Sequence, residues 1–215
     1  MHNLKMSEKS PSNLWTKKAM AFLIRTEHQL WGKHSEDVLA KLFTLGFTNK
    51  FLQEKMFGWN KKLTKRSLES WGIEKTNSDS LVFDKGIVIP YIKNKKLTKL
   101  FISGFDGNKI GKTIKLPGSS EVPVFWQTNS KDLLISGDML LSSYLNQEYG
   151  EKFDIINLCE DEIENLKSLE KKIDLYRKIF IFKLNPQKVK AFLSCEQIVF
   201  IEDNPFDKNF NLDFV

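Results

Sequence analysis

Apolar residues recur every three or four positions between residues 13 and 71, the spacing of helices that each bury one face. The stripe of the first helix consists of Trp15, Ala19, Phe22, Leu23 and Leu30. Ser35 and Thr48 precede two further stripes and are predicted to cap a second and a third helix. A fourth, short helix is predicted from Thr64 to Trp71.

The apolar period changes after residue 80 to the alternation of strands. The segments 86–92 and 96–105 are predicted to pair as a hairpin around a turn at Asn94-Lys95, within a small antiparallel meander. Pro90 has no backbone N–H to donate, so it is expected at a sheet edge or at a bulge.

From residue 131 onward, predicted strands and helices alternate strictly. The strands, each a nearly continuous apolar run, are 132–136, 153–159, 178–184 and 196–203. The helices between them are 137–150, 160–173 and 186–194. Such alternation is typical of a parallel sheet flanked by helices. The sequence therefore predicts an α/β protein with a helical and small antiparallel meander N-terminal half and a parallel sheet in its C-terminal half.

The composition fits a folded protein. The 215 residues are 41% hydrophobic and include 17 Phe and 5 Trp, which is enough apolar surface to exclude wholesale disorder. The apolar runs are too short to cross a bilayer, and the first residues lack the apolar segment of a signal peptide. We expect a cytoplasmic protein without a membrane partner, divided into a disordered tail (1–12), an N-terminal region (13–125) and a C-terminal domain (126–215).

Charge is distributed unevenly along the chain. Residues 1–110 carry 20 Lys and Arg against 10 Asp and Glu, a net +10, within an overall charge of +6. A basic half of this kind indicates a polyanionic partner such as nucleic acid, and a solvated lysine-rich surface is the alternative. The clustered basic residues are Lys61, Lys62, Lys65, Arg66, Lys93, Lys95, Lys96 and Lys99. Trp59 and Trp71 are candidates for stacking on bases, unless both belong to the core.

Cysteine and histidine are scarce. The chain has Cys159 and Cys195, and its histidines are His2, His28 and His34. Neither CxxC nor HExxH occurs, so a structural zinc finger is excluded. The two cysteines are expected to be small buried residues, with a regulatory disulfide as the alternative.

Four stretches, taken in order, resemble the Toprim-containing primases of bacteria and phages. LWTKKAMAFLIRTEHQLW and the helices after it, up to GWN, resemble the linker helices downstream of the zinc finger of that family. GIVIPYIKNKKLTKLFISGF resembles its hairpin, and KLPGSSEVPVFW resembles its loop before the catalytic domain. DLLISGDMLLSSYLNQEYG resembles the first Toprim motif. The resemblance spans about residues 13–207 and implies a Toprim-like domain at the C-terminal end.

The departures from this family fall at its catalytic positions. Toprim chemistry needs a carboxylate after the first strand and an Asp-x-Asp after the third, which together hold a divalent metal ion. Here Ser136 stands at the first position, and Lys183 and Asn185 stand at the paired aspartates. The resemblance therefore implies a degenerate domain with no metal, no cofactor and no catalytic residues. If Lys183 lies at that edge of the sheet, we expect it to pair with the carboxylate of Asp138, Glu202 or Asp203 and to occupy the place of the ion.

Three hypotheses for function follow. The first is a catalytically inactive primase relative, or pseudoenzyme, that binds nucleic acid or a protein partner in a replication, recombination or defence complex, encoded by a phage, plasmid or defence island. The second is an active Mg²⁺-dependent nucleotidyltransferase or nuclease with relocated acids. The fallback acids are Asp138, Glu202, Asp203 and Asp207, the last of which resembles the acidic position after the final core strand. The third is a protein–protein adaptor without nucleic-acid binding.

Overall fold

The computed structural model describes residues 10–74, 80–106, 109–159, 162–193, 197–206, 210 and 212. The contacts within the chain divide it into two compact units, one ending at Val122 and one beginning at Pro123, which we call the N-terminal unit and the C-terminal unit. Most of the predicted tail over residues 1–12 lies outside the described residues.

The N-terminal unit combines three α-helices with short and long strands. Its elements are α1 (Asn13–Leu30), α2 (Glu36–Thr44), α3 (Asn49–Glu54), β1 (Gly58–Asn60), β2 (Thr64–Ser67), a 3-10 turn (Glu69–Trp71), β3 (Ser80–Phe83), β4 (Gly86–Lys93), β5 (Lys96–Asp106) and β6 (Lys109–Lys115). The side chain of Thr48 caps α3 by accepting a hydrogen bond from Phe51 N, as predicted. Ser35 precedes α2, but its side chain accepts no capping hydrogen bond; its hydroxyl lies 2.6 and 2.7 Å from the carbonyl oxygens of Leu30 and Gly32.

Three strands of the predicted meander, β4, β5 and β6, form a four-stranded antiparallel sheet with β1, in the order β1-β4-β5-β6. The β4–β5 turn is at Asn94 and Lys95, which both have positive φ, the conformation that favoured two-residue hairpin turns require. Pro90 lies beyond the stretch of β4 that pairs with β1, next to a bulge at Tyr91. The hairpin prediction and the expectation for Pro90 are both confirmed.

The predicted helix from Thr64 to Trp71 is wrong. Residues Thr64–Ser67 form β2, which pairs antiparallel with β3, and only Glu69–Trp71 turn, as a 3-10 helix. This segment is too short to bury a helical stripe, whereas the strand and turn place Leu68 and Trp71 in the core. Tertiary burial therefore overrides a weak local preference for helix.

The core of the N-terminal unit lies between α1 and the strands. Trp15 and Leu23 of α1 are fully buried, and Phe22 packs on Trp71 and Phe83. The indole of Trp15 donates a 2.8 Å hydrogen bond to the carbonyl of Pro117. This bond ties the first helix to the KLPGS loop, more than 100 residues further along the chain.

The C-terminal unit contains the predicted alternation of strands and helices. Its elements are β7 (Val124–Trp126), β8 (Asp132–Ser136), α4 (Met139–Tyr149), β9 (Asp154–Asn157), α5 (Asn165–Ile173), β10 (Lys178–Phe182), α6 (Pro186–Lys190) and β11 (Ile198–Ile201). The sheet has the order β11-β10-β8-β9-β7. The four predicted strands are β8, β9, β10 and β11, and they pair with one another in parallel. β7, which the sequence did not predict, joins antiparallel to β9. The α/β prediction is confirmed. No helix in the described part of the chain is both long and apolar enough to span a membrane.

A buried carboxylate fixes one end of this sheet. Asp154 is 1% exposed, and its Oδ1 accepts hydrogen bonds from Thr128 N, Thr128 Oγ1 and Ser130 N at 2.7–3.2 Å. Its Oδ2 accepts a 2.6 Å bond from the hydroxyl of Tyr176. Burial and this hydrogen bond to Asp154 raise the pKa of Tyr176 above its ordinary value.

Alkaline pH is therefore expected to weaken the fold through Tyr176. A raised pKa means that the folded state favours the neutral phenol, so the stabilisation is complete below about pH 10, the ordinary tyrosine value, and falls as the pH rises further. Urea unfolding between pH 8 and 11 should show a smaller stability loss for Tyr176→Phe than for the wild type. Parallel pH profiles for the two proteins would contradict this assignment.

Candidate nucleic-acid surface and the carboxyl edge of the parallel sheet

The carboxyl ends of the parallel strands bring together the positions where Toprim carboxylates are expected. Ser136 at the end of β8 is level with Phe182 of β10 and Asn157 of β9. Gly137 N donates a 3.1 Å hydrogen bond to Phe182 O. A Cβ on Gly137 would collide with the carbonyl of Lys183, so the segments after β8 and β10 meet closely at a glycine.

Hydrogen bonds within the protein occupy the polar groups after β8. Ser136 is fully buried, and its hydroxyl accepts a 3.2 Å bond from Asp138 N. The carboxylate of Asp138 accepts a 2.9 Å bond from Leu141 N and so caps α4. The side-chain amide of Asn157 donates to Ser136 O and to Ser142 Oγ, both at 3.1 Å. A metal ion would have to compete with Leu141 N for the carboxylate of Asp138.

The positions after β10 have comparable internal contacts. The side-chain oxygen of Asn185 caps α6 by accepting bonds from Gln187 N and Lys188 N at 2.9 and 3.1 Å. Lys183 is exposed, has positive φ, and holds its ammonium 5.8 Å from the ring centre of Phe206. The expected ion pair of Lys183 with Asp138, Glu202 or Asp203 is therefore wrong among the described residues. The ammonium of Lys183 lies near an aromatic ring instead, and the carboxylate of Asp138 caps the start of α4.

A cleft of about 470 Å³ opens beside this edge, between the ends of β10 and β11. Lys183, Glu202 and Asp203 line it together with apolar residues such as Phe182 and Phe200. Across the described ranges, no three His, Cys, Asp or Glu side chains come together in a way that would hold a metal ion. Asp207 and Cys195 lie outside the described residues, and Cys159 is partly buried.

The basic residues Lys61 and Lys62 lie in the segment between β1 and β2. Both are exposed, and Lys61 Nζ donates a 3.1 Å hydrogen bond to Lys33 O at the α1–α2 turn. The buried amide of Asn60 donates to the carbonyls of Lys62, Phe83 and Asp84 at 3.0, 3.3 and 2.6 Å. These bonds fasten the basic segment to the link between β3 and β4.

Lys65 and Arg66 alternate along β2 and so project to opposite faces of that strand. Arg66 lines a cleft against α1, together with Lys18 and Arg25, whereas Lys65 does not. Sequence reasoning did not select Lys18 or Arg25. The sequence pattern that could have indicated them is the spacing of seven residues, which places both cations on the polar face of α1.

The lysines of the β4–β5 hairpin form a separate group. Lys93, Lys95 and Lys96 are exposed at the turn. The other end of β4, at Gly86, pairs with Asn60 and lies roughly 23 Å away at the rise of an extended strand. Lys99 is 1% exposed, with its ammonium 6.0 Å from the ring centre of Phe101, so we exclude it from the surface.

The two tryptophans considered for base stacking are core residues. Trp59 and Trp71 are 5% and 6% exposed. Trp59 packs edge-on against Phe105, and Trp71 packs against Phe22 and Phe83. Their faces are already covered, so the stacking interpretation is corrected in favour of its alternative.

Comparison with known proteins identifies the fold. No family model matches the sequence, and no curated protein matches it. The DnaG catalytic core aligns with a TM-score of 0.58 at 9% identity over 90% of this chain and 74% of that one. The RNA polymerase domain of Mycobacterium tuberculosis primase DnaG aligns with a TM-score of 0.58 at 11% identity, over 88% and 75%. A DnaG primase catalytic domain bound to ssDNA aligns with a TM-score of 0.55 at 10% identity, over 88% and 74%. The chain therefore has the fold of primase catalytic domains.

Proposed function

We propose that this chain is a primase-like protein that binds nucleic acid and carries out no metal-dependent catalysis. One observation carries the proposal: the chain has the fold of primase catalytic domains, and Ser136, Lys183 and Asn185 stand where the resemblance to Toprim primases implies metal-binding carboxylates. A hydroxyl, an ammonium and an amide supply no negative charge to a divalent cation. The basic N-terminal unit supports the binding part of the proposal.

The contacts at the sheet edge support catalytic inactivity. Ser136 is buried in hydrogen bonds, and Asn185 and Asp138 each cap a helix. Lys183 lines the same cleft as Glu202 and Asp203, so a fixed positive charge stands near the remaining acids. A Mg²⁺ ion entering this cleft would be repelled by that charge, and Glu202 and Asp203 have no third acid beside them among the described residues that line the cleft.

Millimolar Mg²⁺ or Mn²⁺ is therefore expected to leave the melting temperature unchanged, because an ion stabilises a protein only by binding its native state. The protein should make no primers and cut no DNA. Isothermal titration with Mg²⁺ should give no specific heat. Specific binding that disappears in Glu202→Ala or Asp203→Ala would instead support an enzyme with relocated acids. These two residues are preferred to Asp138, whose loss would also remove a helix cap.

Exposed cations at the β1–β2 segment support contact with phosphates. Lys61 and Lys62 are held beside Lys33 by the hydrogen bonds of Asn60 and of Lys61 itself. Lysine contacts position a nucleic acid through its backbone and read no sequence. We therefore propose binding that depends on salt and tolerates any sequence. One solved relative in fold is described as bound to ssDNA, so single-stranded DNA is the first ligand to test.

Lys61→Ala/Lys62→Ala is expected to weaken binding of a single-stranded oligonucleotide and to flatten its salt dependence. The slope of log K against log salt is negative, and each lost phosphate contact should reduce its magnitude by about 0.7. Fluorescence anisotropy across a salt series measures both effects. Lys167→Ala/Lys171→Ala, two exposed cations of α5, is the matched control and should leave the slope unchanged. A wild type that binds no oligonucleotide at about 50 mM salt would favour the protein adaptor hypothesis.

A further inference from the structure

A cleft of about 210 Å³ lies in the N-terminal unit, between α1 and β2. Its rim carries the cations Lys18, Arg25 and Arg66, and its floor consists of the aromatic residues Phe22, Trp71 and Phe83. We call it the Lys18 cleft. No acidic side chain is among the residues that line it.

The three cations have no carboxylate partner in the described part of the chain. Lys18 and Arg25 are exposed on α1, and Arg66 Nη1 donates a 3.1 Å hydrogen bond to the carbonyl of Lys65. The guanidinium of Arg25 lies 5.1 Å from the ring centre of Phe22, which holds it at the rim. Three like charges around one small cleft repel one another, and an anion bound between them would relieve this repulsion.

The floor of the cleft decides which part of a nucleotide fits. Phe83 lies 4.6 Å from Phe22 and 4.9 Å from Trp71 between ring centres, and all three rings are almost fully buried. A base cannot insert between rings that already pack on one another. Thr64 and Ser70 also line the cleft, and the hydroxyl of Thr64 can donate to an anion, whereas that of Ser70 already donates to Ser67 O at 2.8 Å. The chemistry favours a phosphate group over a base.

We propose that the Lys18 cleft is a phosphate-binding site, which rests on the proposed function and adds a contact on the α1 face to those of Lys61 and Lys62. Arg66 follows Lys62 by four residues and lines the cleft. A single nucleic-acid strand could therefore contact both Lys62 and the Lys18 cleft. The phosphate belongs either to the backbone of a bound nucleic acid or to a free nucleoside triphosphate. Both sources present the same charged oxygens to the same cations.

The test compares neighbouring cations of α1. Lys18→Ala should raise the Kd for a single-stranded oligonucleotide several-fold near 100 mM salt. It should also reduce the magnitude of the slope of log K against log salt by about 0.7. Lys17→Ala removes the same charge from the same helix but outside the cleft, and it should have little effect. Arg25→Ala should act like Lys18→Ala, and Arg25→Lys should retain most of the binding. Melting temperatures check that each variant is folded.

A second measurement separates the two sources of phosphate. Titrations with inorganic pyrophosphate and with ATP, both without DNA, report binding of a free ligand. Binding of ATP that is lost in Lys18→Ala supports a nucleotide site, and binding of the oligonucleotide alone supports a backbone contact. Equal Kd values and equal salt dependence for Lys18→Ala, Arg25→Ala and Lys17→Ala would contradict phosphate binding in the cleft. They would leave the proposed function intact. ATP binding through Lys18 in a protein that binds no oligonucleotide would support the cleft and overturn the proposed function.

Discussion

Asp154→Ala is expected to lower the free energy of unfolding of the C-terminal unit by about 2–4 kcal/mol, because it removes the acceptor of a buried hydrogen-bond network. The carboxylate of Asp154 accepts hydrogen bonds from two backbone N–H groups and two hydroxyls. Alanine would leave these four donors without their acceptor. A fully buried donor left unsatisfied costs about 1–3 kcal/mol, and water would recover part of this here because Thr128 is exposed and Ser130 and Tyr176 are partly buried.

Urea unfolding of the wild type and of the variant at neutral pH measures this effect. Asp174→Ala is the matched control, since Asp174 is an exposed carboxylate at the end of α5 and its removal changes the charge equally. The control should differ from the wild type by less than about 0.5 kcal/mol, as surface substitutions usually do. A similar small value for Asp154→Ala would mean that its hydrogen bonds contribute little to the fold.

Gly118→Ala is expected to destabilise the N-terminal unit by about 2–4 kcal/mol. Gly118 has a φ of +85°, and a side chain in that region costs about 1–3 kcal/mol in strain. A Cβ at this position would also lie 2.6 Å from Nε1 of Trp15. The indole cannot move away freely, because it is fully buried and bonded to Pro117 O. Relief of the overlap would have to break the link between α1 and the KLPGS loop.

Gly111→Ala provides the comparison within the same unit. A Cβ on Gly111 would meet its nearest neighbours at 3.6 Å or more, an ordinary van der Waals distance, and its φ is not positive. Denaturant midpoints followed by tryptophan fluorescence should therefore fall much further for Gly118→Ala than for Gly111→Ala. Equal midpoints would contradict the role assigned to the contact with Trp15.

The C-terminal sheet could be predicted because its strands are short, continuous apolar runs separated by helical patterns. Parallel strands need such crossovers, so pattern and topology constrain each other. β1 and β7 escaped prediction, because each has three residues and exists only through pairing with a distant strand. The prediction of a helix at Thr64–Ser67 was wrong for a related reason, since pairing with β3 and the burial of Trp71 determine the conformation of this segment.

Prediction of the candidate site was limited by the direction of side chains. Sequence order indicated that Ser136 and Lys183 follow neighbouring strands, and β8 and β10 are neighbours. It could not indicate that the positive φ of Lys183 would accompany an ammonium placed over Phe206. In the same way, a cluster of basic letters did not reveal that Lys99 is buried or that Arg66 faces α1. Charge patterns give composition, and the fold decides which charges share a surface.

The hydrogen bonds of Asn60 have a consequence for the thermodynamics and kinetics of association. Because its amide already holds the carbonyls of Lys62, Phe83 and Asp84, the backbone that carries Lys61 and Lys62 is ordered before any ligand arrives. Little conformational entropy is then lost on binding, apart from that of the lysine side chains. Association should therefore proceed in one kinetic step at a rate set by diffusion and long-range attraction, without a slower phase in which the loop folds around its ligand.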